Sequence, residues 1–517
     1  MTLTQWFVFF LIVQVVHFAG TWRLYEAAGR KRWEAAVPIY NAIILMKIIG
    51  RPSWWTILLF IPVVNLIMFP VIWVETLRSF GKNSTTDTLL GIFTFGLYIY
   101  YINYTQPLVH QTERSLRPKS KTGDTISSLL FAIIVATIVH TYVMQPYTIP
   151  TSSLEKTLLV GDFLFVSKFH YGARTPMTTV AAPMVHDTLP IINKKSYSSW
   201  PQLPYFRLPG IETVEKNDIV VFNWPVDTVF RFFVKSDTRA YKPVDKKSNY
   251  VKRCVGTPGD SLSVRDGIVF INGKELKLSD RARPQYAYFV TFDGKTPVDL
   301  EYLLQDMDVT DGAGFRTEAR DTLMIRALTK EGAERLKNVP GIASVTRMVR
   351  KNSEYDGVFP GLGKWNGDNM GPLYIPEQGK TVALNQGSLP FYKKIITEYE
   401  HNDLKVNGDE IRINGKVATS YTFRQNYYWM MGDNRHNSED SRYWGYVPED
   451  HIVGKPVFIW MSLDSNKRGL DKIRWERLFT TVGGEGEPVS YLKFFLIALV
   501  AYFGIDYFVK KKKAQKG

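Results

Sequence analysis

Cysteine and histidine are scarce in this chain of 517 residues, which contains one cysteine, Cys254, and eight histidines. A single cysteine can form no internal disulfide and cannot build a zinc cluster, so the folded parts must be stabilised by their cores alone. None of the histidines lies in a His-Glu-x-x-His metal site, and no Gly-x-Ser-x-Gly elbow is present. The sequence therefore lacks these signatures of zinc hydrolases and of Ser-His hydrolases.

The formal net charge of +15 is compatible with nucleic-acid binding. No nucleic-acid motif with interleaved aromatic residues accompanies the charge. Much of the basic excess lies in loops beside apolar segments and in the Lys510–Lys513 tail, where membrane topology and anionic lipid explain it. We therefore expect contact with membrane lipid and no nucleic-acid partner.

Five apolar runs approach the roughly 20 residues that a helix needs to cross a membrane. They extend over 5–22, 54–74, 88–108, 125–143 and 491–509. The third run, with many tyrosines, carries the weakest signal. The first run is predicted to be a retained helix and not a cleaved signal peptide, because Met1–Trp6 contains no lysine or arginine.

Basic residues are distributed unequally among the loops between these runs. The first loop contains Arg23, Arg30, Lys31, Arg32, Lys47 and Arg51, whereas the next contains only Arg78 and Lys82. Arg114, Arg117, Lys119 and Lys121 precede the fourth run, and the lysine tail follows the fifth. Because cytoplasmic loops carry the excess of lysine and arginine, the N-terminus and 146–488 are predicted to lie outside the cytoplasm.

The region 146–488 contains short strand-like stretches separated by glycine, aspartate and proline, which predicts a mostly-β domain. The predicted strands include 218–223, 261–264, 268–272 and 410–414. Asn272-Gly273 and Asn414-Gly415 predict tight type I′ turns, because both positions of such a turn need positive φ angles.

Three segments carry the residues suited to chemistry. Pro150-Thr-Ser-Ser-Leu-Glu-Lys-Thr-Leu158 follows the fourth apolar run, Tyr250-Val-Lys-Arg-Cys-Val-Gly256 comes about 100 residues later, and Gly432-Asp-Asn-Arg-His-Asn-Ser-Glu-Asp-Ser-Arg442 lies near the end. Together they resemble the motifs of the bacterial type I signal peptidases, which are membrane-bound Ser/Lys proteases. The resemblance covers about 126–274 and 405–462. It implies a mostly-β extracytoplasmic catalytic domain, with no metal or organic cofactor. The first 120 residues lie outside the resemblance, and the apolar runs predict that they add to a multi-pass α-helical membrane region.

A lysine base is also what the residues themselves favour. A serine nucleophile needs a base, and no histidine is placed to serve as one. A lysine serves only when neutral, so desolvation must lower its pKa from about 10.4 toward 7 or 8. Lys252 lies in an apolar strand-like segment that offers such an environment, although an edge-strand lysine pointing to water is the simpler alternative for Lys252 taken alone.

Matched residue by residue, the resemblance implies that Ser153 is the nucleophile and Lys252 is the general base. Thr151 takes the place of the hydroxyl that stabilises the oxyanion together with the Ser153 backbone N–H. Ser438 matches the hydroxyl that orients the lysine, and Asp440 and Arg442 match a supporting ion pair. Shallow pockets for small substrate residues at −1 and −3 would be lined by Ile149, Leu154, Leu158, Tyr250 and Val251, for which core packing is the alternative role.

The chain departs from the family pattern at three positions, Leu154, Lys156 and His436. Lys156 matters most, because Ser153-x-x-Lys156 is also the pattern of penicillin-binding proteins and β-lactamases. Those proteins need a Lys-Thr-Gly after the serine, and the one present here, Lys121–Gly123, precedes it. The flanking residues of Ser153 favour extended chain, in which residues three apart point to opposite faces, so Lys252 and not Lys156 is predicted to serve Ser153.

Material absent from compact members of the family lies between 275 and 404. It is predicted to form an inserted α/β subdomain, with a helix over 329–338 capped by Thr329 and a strand over 343–349. Because the three motifs lie outside it, we expect the insert to be dispensable for chemistry. What the insert binds is unknown from the sequence.

The predicted organisation has six parts. They are an N-terminal membrane region of about three helices (1–112), a basic loop and transmembrane helix (113–145), the first part of the catalytic domain (146–274), the insert (275–404), the second part of the catalytic domain (405–488), and a C-terminal transmembrane helix with its basic tail (489–517). The implied activity is cleavage of signal peptides from exported preproteins at the outer face of the bacterial cytoplasmic membrane. The alternative is a catalytically silent relative that acts as a membrane scaffold or binding module, but such a relative should have lost Ser153 or Lys252.

Overall fold

The computed structural model describes residues 1–118, 120–229, 239–307, 309–316, 318 and 320–515. These residues form two compact units. The first unit comprises 1–143 and the described parts of 173–208 and 236–247. The second comprises the described parts of 144–172, 209–235 and 248–517.

Residues 1–143 of the first unit are mostly helical. Their α-helices are α1 (Leu3–Ala27), α2 (Tyr40–Ile48), α3 (Trp55–Leu58), α4 (Val64–Ser79), α5 (Thr85–Phe93), α6 (Tyr98–Thr105) and α7 (Lys121–Ile138), and a π-helical turn, Val139–Val143, extends α7. The Thr2 hydroxyl caps α1 by accepting a hydrogen bond from the Gln5 backbone N–H at 3.2 Å. Apolar side chains of several of these helices share one core, which includes Leu24, Ile44, Met68 and Ile102.

Three helices of the described residues are long and apolar enough to cross a membrane: Leu3–Ala27, Lys121–Val143 and Leu492–Lys512. They match the first, fourth and fifth apolar runs. The prediction of a spanning helix is wrong for the other two runs, each of which is divided between two shorter helices. Pro62 lacks a backbone N–H and separates α3 from α4, and Gly96, at φ +80°, lies between α5 and α6.

The second unit is mostly β, as predicted. Its strands are β1 (Met144–Thr148), β2 (Asp162–Ser167), β3 (Ile219–Asn223), β4 (Asn249–Gly256), β5 (Ser261–Arg265), β6 (Ile268–Ile271), β7 (Lys274–Glu275), β8 (Gln285–Phe292), β9 (Ala313–Phe315), β10 (Thr322–Thr329), β11 (Ile342–Arg347), β12 (Met370–Tyr374), β13 (Thr381–Ala383), β14 (Leu404–Asn407), β15 (Glu410–Ile413), β16 (Lys416–Val417), β17 (Ser420–Thr422), β18 (Tyr427–Met431), β19 (Val447–Pro448), β20 (Ile452–Ser462) and β21 (Thr480–Thr481). Its helices are α8 (Leu300–Asp306), α9 (Lys330–Leu336), α10 (Leu389–Lys394), α11 (Ser441–Trp444) and α12 (Leu492–Ala514).

The main sheet brings together strands from both halves of the sequence resemblance. Its order is β1-β2-β20-β3-β4-β18-β19, with β21 paired to β20, and its neighbours run antiparallel. Strand β4 therefore lies between β3 and β18, with Lys252 opposite Val220. This arrangement places the lysine motif inside the sheet and next to the strand that leads into the third motif.

The predicted strands and hairpins of this unit are present. Strand β3 covers the predicted 218–223 stretch, β5 and β6 form the predicted hairpin, and β15 covers 410–413. Asn272 and Asn414 have φ of +52° and the glycines after them have φ of +80°, which confirms the two Asn-Gly turns.

The middle of the chain contains a second antiparallel sheet of order β11-β8-β10-β9, which shares an apolar core with residues of α8 and α9. The predicted helix is α9, capped by Thr329, whose hydroxyl accepts from the Gly332 N–H at 3.1 Å. The predicted strand is β11. Residues 285–347 thus have the α/β character that the sequence indicates, while the boundaries 275 and 404 stay a prediction.

The second half of the predicted insert is not separate from the rest of the unit. Strand β12 pairs with β5, and Leu389 and Tyr392 of α10 share a core with Trp429 of β18. Replacing all of 275–404 would remove part of this core. Removing the whole segment is therefore expected to cost stability, while its dispensability for chemistry stays a prediction.

Candidate active site

Ser153 lies in a 3-10 turn, Ser152–Leu154, that begins a few residues after β1. The turn continues into a second, because the Leu158 N–H donates to the Leu154 carbonyl at 2.8 Å. Leu154 and Leu158 are 1% and 0% exposed and anchor the segment in the core. The predicted extended chain around Ser153 is thus wrong, because the burial of these two leucines favours consecutive turns.

Lys252 points from the centre of β4 to Ser153. Its side chain is buried, and its Nζ donates a hydrogen bond to Ser153 Oγ at 2.5 Å. The Tyr250 ring lies on the same side, 5.6 Å from the ammonium nitrogen. The structure therefore brings together the two residues on which the sequence interpretation depends.

Burial lowers the pKa of Lys252 from its ordinary value of 10.5 to about 8. The carboxylates of Asp440 and Glu439 oppose the shift, and Arg442 adds to it. A neutral amine next to a serine hydroxyl is consequently accessible near neutral pH, which is the state a general base requires.

The third motif contributes a buried ion pair. Arg442 donates from Nε and Nη2 to the two oxygens of Asp440, both at 2.8 Å, and both side chains are nearly inaccessible to solvent. Asp440 also accepts from the Gly432 N–H at 3.0 Å. Burial alone would raise the pKa of Asp440, but Arg442 holds it below the ordinary value. The predicted pair is formed and fixes the loop that follows β18.

A second buried pair was missed by the sequence interpretation. Arg253 donates to both oxygens of Asp433, at 2.8 and 2.6 Å, and the Thr157 hydroxyl donates to the same carboxylate at 2.6 Å. These contacts join the serine, lysine and third motifs. The signal was available, because Arg253 directly follows Lys252 and Asp433 is the second residue of the third motif.

Ser438 is near Ser153 but does not orient Lys252 by a hydrogen bond. A Cβ added at Gly432 would collide with both Ser438 Oγ and the Ser153 carbonyl oxygen, so these groups converge on one glycine. Ser438 Oγ is buried and has no hydrogen-bond partner among the described residues. The predicted orienting contact is therefore not formed in this structure.

A cavity of about 590 Å³ opens beside the two central residues. Thr151, Ser153, Lys252, Tyr250 and Val251 all line it. Ile149, Leu154 and Leu158 do not, because they are 3%, 1% and 0% exposed and pack in a core with Leu164 and Val166. The pocket prediction is wrong for these three residues, whose side chains take the alternative, core-packing role.

His436, the departure from the family pattern in the third motif, contacts the middle of the chain. Its Nδ1 accepts from the Ala287 N–H at 2.9 Å, and its Nε2 lies 3.0 Å from Asp368. Asp311 also reaches this loop, because its carboxylate accepts from the side-chain amides of Asn434 and Asn437. The segment 275–404 thus braces the third motif, which the sequence interpretation did not anticipate.

Cys254 is predicted to have no chemical role. It is fully buried in a core with Tyr171 and Phe222, and burial raises the pKa of its thiol. We expect Cys254→Ala to retain most of the activity, within about three-fold, because only a small apolar group is lost. Cleavage by the variant, and by wild type treated with a thiol alkylator, measures this. Loss of turnover in a correctly folded variant would contradict it.

The described residues combine helices long and apolar enough to cross a membrane with a mostly-β unit in which a buried lysine contacts a serine hydroxyl beside a cavity. Residues 122–318 and 374–461, more than half of the chain, match the model of the family described as "Signal peptidase, peptidase S26". Residues 33–110 match a family of unknown function.

Curated relatives agree with this match. Signal peptidase I of Haemophilus influenzae is 24% identical over 387 residues, covering 72% of this chain and 80% of the relative. Signal peptidase I of Helicobacter pylori strain 26695 is 26% identical over 377 residues, covering 69% and 92%. That of Buchnera aphidicola from Schizaphis graminum is 24% identical over 351 residues, covering 66% and 76%. The chain belongs to the signal peptidase family.

Proposed function

We propose that this protein is a membrane-bound serine endopeptidase that removes N-terminal signal peptides from exported preproteins, with Ser153 as nucleophile and Lys252 as general base. One observation carries the residue assignment: the buried Lys252 Nζ lies 2.5 Å from Ser153 Oγ beside an open cavity. The alternative role for Lys252, an edge-strand lysine that points to water, does not fit a side chain that is buried and contacts a serine hydroxyl beside a cavity. The same contact argues against the catalytically silent relative.

The proposed reaction follows from these positions. Neutral Lys252 takes the Ser153 hydroxyl proton as Oγ attacks the scissile carbonyl carbon, and the carbonyl oxygen becomes an oxyanion. The Ser153 N–H and the Thr151 hydroxyl are assigned to stabilise that oxyanion. The protonated lysine then gives its proton to the leaving amine, and an acyl-enzyme remains on Ser153. Lys252 then takes a proton from a water molecule as that water attacks the ester carbonyl. The bond to Ser153 Oγ breaks, Lys252 returns the proton to Oγ, and the signal peptide is released.

Processing of a preprotein by the full-length protein in detergent tests the assignment. We expect wild type to release mature protein at one site and Ser153→Ala to release none, because the attacking oxygen is gone. Gel mobility and the N-terminal sequence of the product measure the result. Equal processing by the folded Ser153→Ala variant would overturn the proposal.

The proposed location is the bacterial cytoplasmic membrane, with the N-terminus and the catalytic domain on the extracytoplasmic side. Without the two divided apolar runs, three candidate spans remain. Because the two omitted runs follow each other in the chain, leaving both out does not change the side on which the later segments lie. The basic loop before Lys121 and the lysine tail then remain cytoplasmic, as their charge favours.

Cysteine labelling in a Cys254→Ala background tests this topology. We expect cysteines introduced at Ser120 and Gln515 to react with a membrane-impermeant maleimide only after the cells are permeabilised. A cysteine at the exposed Asp409 of the β14–β15 turn should react in intact spheroplasts. Labelling of Ser120 or Gln515 from outside would contradict the orientation.

A further inference from the structure

The cavity beside Ser153 is lined by more acidic than basic side chains, although the chain as a whole carries a net charge of +15. Its charged lining residues are Glu155, Asp311, Glu439, Asp464, Lys252 and Arg474. Asp464 lies 3.7 Å from Arg474, so these two offset each other. The other three carboxylates make no salt bridge within the part of the chain that the structure describes.

The nearby cations offset these carboxylates only in part. Lys156 and Arg474 both act to lower the pKa of Glu155, but neither makes a salt bridge with it within the described residues. Arg474 donates from Nη1 to the Val160 carbonyl at 2.9 Å and to Ser462 Oγ at 3.2 Å.

Lys252 must be neutral in the active form of the proposed mechanism. Asp311 accepts hydrogen bonds from asparagine amides, which carry no charge. With Lys252 neutral, the described lining of the cavity therefore holds four carboxylates and one cation, Arg474.

Glu155 shows most clearly that a partner is missing. Its side chain is 4% exposed, and its Oε2 is buried without a hydrogen-bond partner among the described residues. Burial raises the pKa of Glu155 to about 6, against opposing effects of Lys156 and Arg474. A buried carboxylate with an unpaired oxygen is unfavourable, so a cation entering the cavity would be stabilised there.

We propose that this cavity selects substrates that carry a lysine or arginine side chain close to the scissile bond, with Glu155 as the specificity-determining carboxylate and Asp311 and Glu439 adding to the negative charge. The inference rests on the proposed function of the same site. It concerns a charged substrate side chain, and is separate from the expected preference for small residues at −1 and −3.

Cleavage of a peptide series tests the selection. Each peptide has the same neutral cleavage site, with a single lysine, glutamine or glutamate placed in turn at four positions on each side of the scissile bond. With full-length wild type in detergent at pH 8, we expect lysine to raise kcat/KM about ten-fold over glutamine at one or more positions, and glutamate to lower it there. Glu155→Gln should bring the lysine-to-glutamine ratio to within about two-fold of one. Asp409→Asn, a distant and exposed carboxylate, should leave the ratio at the wild-type value.

The outcomes separate this inference from the proposed function. Wild type that cleaves lysine, glutamine and glutamate peptides equally would overturn the selection and leave the peptidase assignment standing. Failure to cleave any peptide or preprotein would overturn the peptidase assignment itself. If Glu155→Gln does not fold, Asp311→Asn and Glu439→Gln are measured instead. A three-fold or greater drop of the ratio in either supports the inference, and unchanged ratios in both overturn it.

Discussion

Lys252→Ala should lower kcat/KM for preprotein cleavage by several orders of magnitude, because among the described residues Lys252 is the one group that hydrogen-bonds the Ser153 hydroxyl. Lys252→Arg should be nearly as inactive, since a guanidinium does not lose its proton at any working pH. Lys156→Ala provides the matched control. We expect it to stay within about ten-fold of wild type, the effect of roughly 1.4 kcal/mol in the activation free energy.

The pH dependence of wild type checks the same assignment. With a pKa of about 8 for Lys252, the neutral fraction and therefore kcat/KM should rise with pH and level off above the pKa. Circular dichroism confirms that each variant is folded. The assignment fails if Lys156→Ala is the more damaging change, or if the wild-type rate is flat from pH 6 to pH 9.

The sequence predicted the elements of the second unit well because their signals are local. Asn272-Gly273 and Asn414-Gly415 require positive φ, and Thr329 provides a helix cap, whatever the rest of the chain does. Two membrane runs were predicted wrongly because hydropathy averaged over a window does not register single breaks at Pro62 and Gly96. The local chemistry of one residue decided the outcome there.

The site was predictable where the motifs themselves supply it and not where distant segments meet. Ser153, Lys252, Asp440 and Arg442 could be named from three short motifs, and the structure places them together. Contacts of Asp311 and His436 depend on how residues 285–368 fold back onto the third motif. No short sequence pattern encodes that approach. Ile149, Leu154 and Leu158 were assigned to pockets but pack in a core. The sequence could not distinguish the two positions, because the difference between a cavity wall and a core depends on tertiary packing.

The buried Asp440–Arg442 pair is expected to contribute strongly to the stability of the site. Asp440→Asn keeps the size of the side chain but leaves the Arg442 guanidinium, which is 1% exposed, without its counter-charge. Breaking a buried pair in this way costs about 3–5 kcal/mol of unfolding free energy. Glu410→Gln is the matched control, because Glu410 and Arg412 form a 2.7 Å pair in which both side chains are at least 40% exposed. That change should cost less than about 1 kcal/mol.

Urea denaturation of the two variants in detergent, followed by tryptophan fluorescence, compares these costs, and the pH–rate profile gives a second readout. The Asp440 carboxylate raises the pKa of Lys252, so its neutralisation should lower that pKa and move the midpoint of the pH–rate profile below about 8. A residue that only braced the fold would reduce stability without moving the midpoint. Equal losses of stability in Asp440→Asn and Glu410→Gln would contradict the stability prediction. An unmoved midpoint in folded Asp440→Asn would show that the pair does not act on Lys252 as inferred.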